Sequence, residues 1–301
     1  MAMSNFAKKF MSLRGWIMKN KNFVAFILSH GRAEKVDTYK TLKKQGYTGE
    51  IIFICDDDDK QLELYKKRYK NVEVFNKKDV EQRYDTADNF ENRGCIFYAR
   101  NYCFEIAKKL GIKNFIELDD DYTSFSYLYD KNGNYKRAKI KNLDNIFDAY
   151  VDFLNNTPVD CVAMIQGGDL IGGKDNSMIK NRHKKRKCMN TFFCSIEKPF
   201  EFYGKINEDV NTYTYLGSIG KIFFQLPEIL MIQKQTQSNS GGMTEQYLDS
   251  GTYYKTFYSI MYMPSAVQIY TMGDSNKRIH HFVNWKYCVP CILDEKYKKA
   301  G

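Results

Sequence analysis

Short apolar runs alternate with amphipathic stretches through the first 120 or so residues, and this periodicity constrains the fold more than any other feature of the chain. Asn22–Leu28 (NFVAFIL) reads as a strand buried on both faces. A polar loop, Ser29-His30-Gly31-Arg32, follows it. Val36, Tyr39 and Leu42 then recur at helical spacing, and Gly46 and Gly49 end the helix. Glu50–Cys55 is a second strand that runs into Asp56-Asp57-Asp58-Asp59, and a helix through Leu62, Leu64 and Tyr65 leads to a third strand, Val72–Phe75. Ala99, Tyr102, Cys103, Ile106 and Leu110 share one face of a helix from about Ile96 to Leu110. Strands alternating with helices predict an α/β fold, a Rossmann-like and mostly parallel sheet flanked by helices. Ligands of such sheets bind at the carboxyl ends of the strands.

The next strand ends in the most informative residues. Lys113–Tyr122 (KNFIELDDDY) carries an apolar run straight into three carboxylates. Side chains alternate along a strand, so a continuing strand turns Asp119 and Asp121 to the same face. Two carboxylates so placed repel one another, and a hard divalent ion, Mg²⁺ or Mn²⁺, with phosphate completing its shell, relieves them. This is the chemistry of a nucleotide-sugar site; a solvated acidic loop is the bland alternative.

The second half is less regular. A helix through Leu143, Ile146, Phe147, Tyr150 and Leu154 precedes a strand at Asp160–Ile165, and Gly167, Gly168, Gly172 and Gly173 then loosen the chain. Lys180–Lys187 is the densest positive run, and its Arg182, Lys184, Lys185, Arg186 and Lys187 are candidates for phosphate-backbone contacts as well as for a solvated loop. The formal net charge of +10 allows the same two readings, a bound polyanion or generic solubility charge. Gln233–Gly242 is polar, rich in Gly and Ser, and reads as a mobile loop able to close over a site. Near the end, Cys288-Val-Pro-Cys291 has redox or zinc spacing but no second CxxC, so it is read as structural or incidental. The other cysteines sit in apolar patterns, as buried free thiols of a reducing cytoplasm do. No apolar run reaches the length of a membrane span, and Phe6, Phe10, Leu13, Trp16 and Ile17 recur at helical spacing in a basic segment expected to pack on the domain.

Taken together, a first strand with a short polar loop, a second ending in Asp, an Arg-Asn pair before a DxD strand and a later Glu-Asp pair resemble the GT-A glycosyltransferases. Tyr98-Ala-Arg-Asn101 followed by Glu117-Leu-Asp-Asp-Asp-Tyr122 resembles more narrowly the phage TET-associated glycosyltransferases, relatives of base J glucosyltransferase. The resemblance covers about residues 22 to 230. It implies a single GT-A domain over 22–301, after a basic extension over 1–21, with a nucleotide-sugar-binding half at 22–125 and an acceptor-binding half at 126–301.

It also implies metal-dependent transfer of a sugar from a UDP-sugar to the hydroxymethyl group of a modified pyrimidine in double-stranded DNA. Asp121 is then the direct metal ligand and Asp119 the partner of the ribose or of the metal's water shell. Asp56 or Asp57 holds the nucleotide with His30 and Arg32 nearby, and Arg93 and Arg100 are candidates for the diphosphate, where a guanidinium bonds bidentately. Glu208-Asp209 resembles the acidic pair that supplies the base of inverting enzymes, Asp209 first, although a retaining enzyme needs none. His281, in His280-His281, is a candidate third metal ligand, with a satisfied strand histidine as the alternative.

Overall fold

The computed structural model describes residues 18–88, 95–131, 134–170, 186–234, 254–272 and 278–288. Its first strand, β1 (Phe23–Leu28), is buried along its whole length. Alternation splits it between two cores: Val24, Phe26 and Leu28 enter one cluster, and Phe23, Ala25 and Ile27 the other. Both faces must therefore be covered. α1 (Asp37–Lys44) and α5 (Leu143–Asn156) cover one through Leu42, Phe147 and Val151, and α4 (Phe97–Lys109) covers the opposite one through Phe97, Cys103 and Ile106.

The remaining elements of the first half are β2 (Glu50–Asp56), α2 (Leu62–Arg68), β3 (Val72–Phe75), α3 (Lys77–Glu81) and β4 (Asn114–Asp119). A hairpin, β5 (Tyr122–Lys131) and β6 (Asn134–Lys139), follows at once; β7 (Cys161–Gln166), β8 (Phe192–Ser195), α6 (Glu208–Ser218) and β9 (Phe223–Gln233) come after α5. Nine strands form one sheet in the order β3-β2-β1-β4-β8-β7-β9-β5-β6. β8 and β5 run against the other seven, so the sheet is mostly parallel as expected. A helix over 254–262 and a two-stranded antiparallel ribbon, β10 (Val267–Met272) with β11 (Arg278–Val283), complete the described chain.

Two features aim the site. The chain steps outward from β1 to β2 and β3, then returns to place β4 on the other side of β1, so the strand order reverses between β1 and β4. A crevice opens at the carboxyl ends of strands at such a reversal. Second, β4 stops at Asp119 and β5 starts at Tyr122, so Asp120 and Asp121 form a tight connection rather than a strand. This corrects the expectation that Asp119 and Asp121 alternate along one strand. β5 also runs through residue 125, so the sheet is continuous across the expected division into halves. The strands β5, β6, β8 and β9 were not anticipated: β5 follows directly on the carboxylates 119–121, and β9 carries Pro227 within an interrupted apolar pattern.

Candidate active site

Arg100 is the hub of the crevice. The α4 helix buries it to 2 % exposure, and its Nη2 meets Asp119 at 3.1 Å, its Nη1 Glu117 at 3.5 Å and its Nε Glu208 at 3.2 Å. The rings of Phe192 and Phe202 lie 4.8 and 5.7 Å from the guanidinium carbon. Burial works against the charge, but the fields of Asp119, Glu208 and Glu117 hold the guanidinium protonated well beyond its ordinary range. Arg100 is thus a buried ion-pair centre and not the surface salt bridge that its helix position also allowed. Its neighbour Asn101 ties down the strap opposite, its amide donating to the Phe202 carbonyl at 3.1 Å while its Oδ1 accepts the Phe202 N–H at 2.8 Å.

The acids around the hub are displaced upward by burial. Desolvation raises Glu117 to about 8 and Glu208 to about 7, each partly offset by Arg100. Asp121 is raised to about 7 by burial first and by Asp119 and Asp120 next. Asp121 has no ion-pair partner among the described residues, whereas Asp119 is held by Arg100 and Asp120 turns the other way. A half-buried carboxylate crowded by two others and lacking a cation is a fit for a divalent metal. No three His, Cys, Asp or Glu groups converge on such a site among the described residues, so most of a metal's shell would come from ligand phosphate and water.

On the β1–β2 side the expected nucleotide residues interlock. His30 Nδ1 lies 2.6 Å from Asp56 Oδ2, and Lys77 Nζ lies 3.1 Å from Asp56 Oδ1. Hydrogen bonding to Asp56 raises His30 above its ordinary value. Burial pushes Asp56 up, yet the hydrogen bond and charge of His30, with Lys77, bring it below the usual carboxylate range. Asp57 is occupied with the next turn, accepting from the Lys77 N–H and from Asn76. Arg32 pairs with Asp120 at 2.9 Å, and Ser29 Oγ donates to the same carboxylate at 2.7 Å. Asp59 accepts the Gly31 N–H at 2.7 Å, a bond that Gly31 reaches at φ +67°, where other residues are strained. Asp59, Lys77 and Asp120 were missed in the sequence; Asp120, as the middle of three acids, and Asp59, closing an acidic strand end, carried a signal that could have found them.

Glu208 and Asp209 open α6, where backbone N–H groups favour acidic side chains. Asp209 is raised first by burial and is then lowered by the charges of Lys255, Arg100 and Lys187. The residue before the pair, Asn207, takes a left-handed conformation at φ 62°, which Asn tolerates better than most residues. Its Nδ2 donates to Ser259 Oγ and lies 3.4 Å from His281 Nδ1. Burial, with His280, Lys255 and Lys187 adding to it, lowers His281 to about 2, so its ring is neutral. His281 therefore sits on the acid-pair side of the hub, next to Asn207. Of the basic run, Lys187 bonds Asp169 at 2.9 Å and half-buried Arg186 leaves its Nη1 without a hydrogen-bond partner among the described residues; Arg182, Lys184 and Lys185 lie outside the described residues, as do Arg93, Cys291, the 1–17 segment and the expected loop beyond Lys234. Cys288 is a buried free thiol, and no helix of the described residues is long and apolar enough to cross a membrane.

A sheet that reverses between β1 and β4, with an acidic DxD turn at that reversal, is the arrangement that the resemblance to glycosyltransferases implied. The chain matches the TET-Associated Glycosyltransferase family over residues 23–242 and belongs to it. It is accordingly a glycosyltransferase, an α/β protein with a mostly parallel central sheet. No curated protein matches it. Similar solved structures include the mannosyltransferase PcManGT from Pyrobaculum calidifontis in complex with GDP-Man and Mn²⁺, 11 % identical, covering 86 % of this chain and 78 % of that one at a TM-score of 0.45. Glucosyl-3-phosphoglycerate synthase from Mycobacterium tuberculosis, in complex with Mn²⁺, UDP and glucosyl-3-phosphoglycerate, is 10 % identical and covers 93 % and 94 % at 0.46. TarS 1–349 of S. aureus is 15 % identical and covers 71 % and 61 % at 0.42.

Proposed function

We propose that this glycosyltransferase moves a sugar from a UDP-sugar to the hydroxymethyl group of a modified pyrimidine, 5-hydroxymethylcytosine or 5-hydroxymethyluracil, in double-stranded DNA. It uses Mn²⁺ or Mg²⁺ and inverts the anomeric carbon. The observation that carries this reading is the Arg100 hub, because one guanidinium joins Asp119 of the DxD turn to Glu208 of the acid pair. Donor-side and acceptor-side acids thus belong to one site. Membership of a family associated with TET accords with a hydroxymethyl acceptor.

Asp121 and Asp119 would hold the divalent ion, which when bound supplies positive charge to the departing diphosphate. His30, Asp56 and Arg32 orient the nucleotide, with Lys77 and Asp120 holding the last two in place. Arg100 keeps Asp119 and Glu208 at fixed distance and is a positioning residue. Asp209 accepts the acceptor hydroxyl's proton at a carboxylate oxygen, and its upward displacement makes it a stronger base than a free aspartate. The protein works where such DNA is exposed, in the cytoplasm of a cell.

Mass spectrometry of nucleosides from hydroxymethylated duplex DNA, incubated with the protein, Mn²⁺ and a panel of UDP-sugars, tests the reading. A hydroxymethylpyrimidine heavier by one sugar residue is expected. Unmodified nucleosides alongside a glycosylated protein, glycan or lipid would overturn the acceptor.

A further inference from the structure

β11 brings His281 next to Asn207, the residue before the Glu208–Asp209 pair, with Asn207 Nδ2 3.4 Å from His281 Nδ1. Which of these groups donates is fixed by what lies behind them. Asn211, fully buried on α6, gives its Nδ2 to the carbonyls of Tyr203 at 2.9 Å and Ile206 at 3.0 Å. A carbonyl only accepts, so the Asn211 amide cannot be turned over, and its Oδ1 faces Ser259 as an acceptor. Ser259 Oγ therefore gives its one proton to that oxygen, at 2.8 Å. Only lone pairs are left on Ser259 Oγ, so the Asn207 atom against it is the donor Nδ2. The second proton of that Nδ2 is the one that meets His281 Nδ1.

A ring nitrogen that receives an N–H holds no proton of its own. His281 is therefore neutral with its hydrogen on Nε2, because a doubly protonated ring would set two N–H groups against each other. Burial, His280 and the charges of Lys255 and Lys187 disfavour the charged ring as well. His280 is the opposite case: its Nδ1 lies 2.7 Å from the His281 carbonyl, which only accepts, so that nitrogen carries a proton.

The chain of bonds joins two parts of the sequence. Asn207 and Asn211 lie within the family match at 23–242, whereas Ser259 and His281 lie beyond it. Asn207, Asn211 and Ser259 are all buried, so each link is shielded from water. The His281 ring is only partly buried, and its Nε2 has no hydrogen-bond partner among the described residues. Lys255 and Lys187 act through space on both His281 and Asp209, which sets the ring in the neighbourhood of the acid pair. Binding a metal through Nε2 would need that nitrogen bare and the proton on Nδ1, which the Asn207 amide prevents.

We propose that Ser259 and Asn207 are positioning residues that hold His281 as a neutral Nε2–H donor, which hydrogen-bonds an oxygen of the substrate at the acid pair and does not ligate the metal. The substrate contact rests on the acid-pair reading above; the tautomer does not.

Two-bond proton–nitrogen NMR of the full chain labelled with ¹⁵N-histidine reads the tautomer, with His281 assigned by the signals lost in His281→Gln. The parent is expected to show a bare Nδ1 and a protonated Nε2 at His281, unchanged down to about pH 5. Asn207→Asp puts a carboxylate oxygen where the amide donor stood, on a left-handed backbone that Asp also tolerates, so His281 Nδ1 is expected to take up a proton. Ser259→Ala frees the Asn207 amide to turn over and is expected to give a mixture of tautomers, while thermal melting of each variant reports folding. A parent with a protonated Nδ1, or a folded Asn207→Asp variant with the parent's pattern, overturns the tautomer. Kinetics of UDP release with Mn²⁺ and hydroxymethylated DNA test the contact. His281→Phe is expected to lower kcat/KM about tenfold. His281→Gln, whose side-chain N–H reaches near the Nε2 position, is expected to recover most of that loss. The Mn²⁺ concentration for half-maximal rate is expected to stay within about twofold of the parent's in both, and a rise of about tenfold or more would make His281 a metal ligand and overturn the donor role. A His281→Phe variant at the parent's rate overturns the contact. A parent that releases no UDP overturns the acid-pair reading itself while the NMR still decides the tautomer, so the two failures are distinguishable.

Discussion

At the ends of β1 and β2 almost every acid is bonded to a neighbour, while beyond Arg100 the acid pair is divided: Glu208 is bonded to Arg100 at 3.2 Å, and Asp209 stands chiefly in the fields of Lys255 and Arg100. Asp56 holds His30 and Lys77, Asp59 holds the Gly31 N–H, and Asp120 holds Arg32 and Ser29. Asp209 is met by the Val210 backbone N–H and by the charges of Lys255, Arg100 and Lys187. On the proposed reading the donor side is preorganised by short hydrogen bonds, as a nucleotide pocket that must fix orientation requires. On the same reading Asp209 is the base that must take a proton, and it is held by less direct bonding than the donor-side acids. Arg100 belongs to both sides, and Asp121 is the donor-side exception, a crowded carboxylate with no ion-pair partner among the described residues.

Removing the hub breaks that comparison most severely. Arg100→Met leaves Asp119, Glu117 and Glu208 without their buried cation, and loss of one partner of a buried ion pair costs about 3–5 kcal/mol. A urea unfolding series is expected to show this loss. Arg100→Lys is expected not to restore it, because one ammonium cannot meet three carboxylates as a guanidinium fork does. A midpoint equal to the parent's would show that the two sides are not mechanically joined.

Asp121→Ala comes next. It removes the crowded acid without touching the hub, so transfer is expected to vanish while thermal stability holds, and EDTA is expected to abolish transfer by the parent in the same assay. Robust turnover in chelator would mean that the donor side needs no ion.

Asp209→Asn sharpens the acceptor side. It keeps size and hydrogen bonding but cannot take a proton, so kcat is expected to fall by about two to four orders of magnitude with donor KM nearly unchanged. An equal rise in KM would assign Asp209 to the donor side instead.

The smallest effect is expected at His30. Its folded-state value is raised by Asp56, so the stabilisation it contributes is full below its unfolded value near 6.5 and is lost as pH rises through the raised value. The melting temperature of His30→Gln is expected to fall below the parent's at mildly acid pH and to approach it in alkali. A pH-independent gap would mean that His30 acts as a neutral ring. Because this ring is half exposed, solvent screening keeps the effect small.

The same contrast explains what the sequence revealed. The donor side is made of strand ends from the first 121 residues, and each strand announces itself as an apolar run ending in polar residues, so His30, Arg32, Asp56 and the triple acid were legible by local pattern. The acceptor side is assembled from Lys187, Asn207, Lys255 and His281, which no spacing rule brings together; only tertiary packing does. Asn207 was invisible because its role depends on a left-handed backbone angle. The alternation argument for Asp119 and Asp121 failed because β4 ends at Asp119, two residues before Asp121, yet Asp121 still lies in the field of Asp119. Glu117 is an acid inside an apolar strand, and its full burial is matched only by Arg100 arriving on α4.

The division of labour between the two sides is tested most directly by the stereochemistry of the product. With donor acids holding the leaving group and Asp209 acting as base on the opposite face, an α-linked UDP-sugar is expected to give a β-linked product, read from the anomeric coupling in the proton NMR spectrum of the glycosylated nucleoside. An α-linked product would contradict it, since a single displacement with Asp209 taking the hydroxyl proton must invert the anomeric carbon.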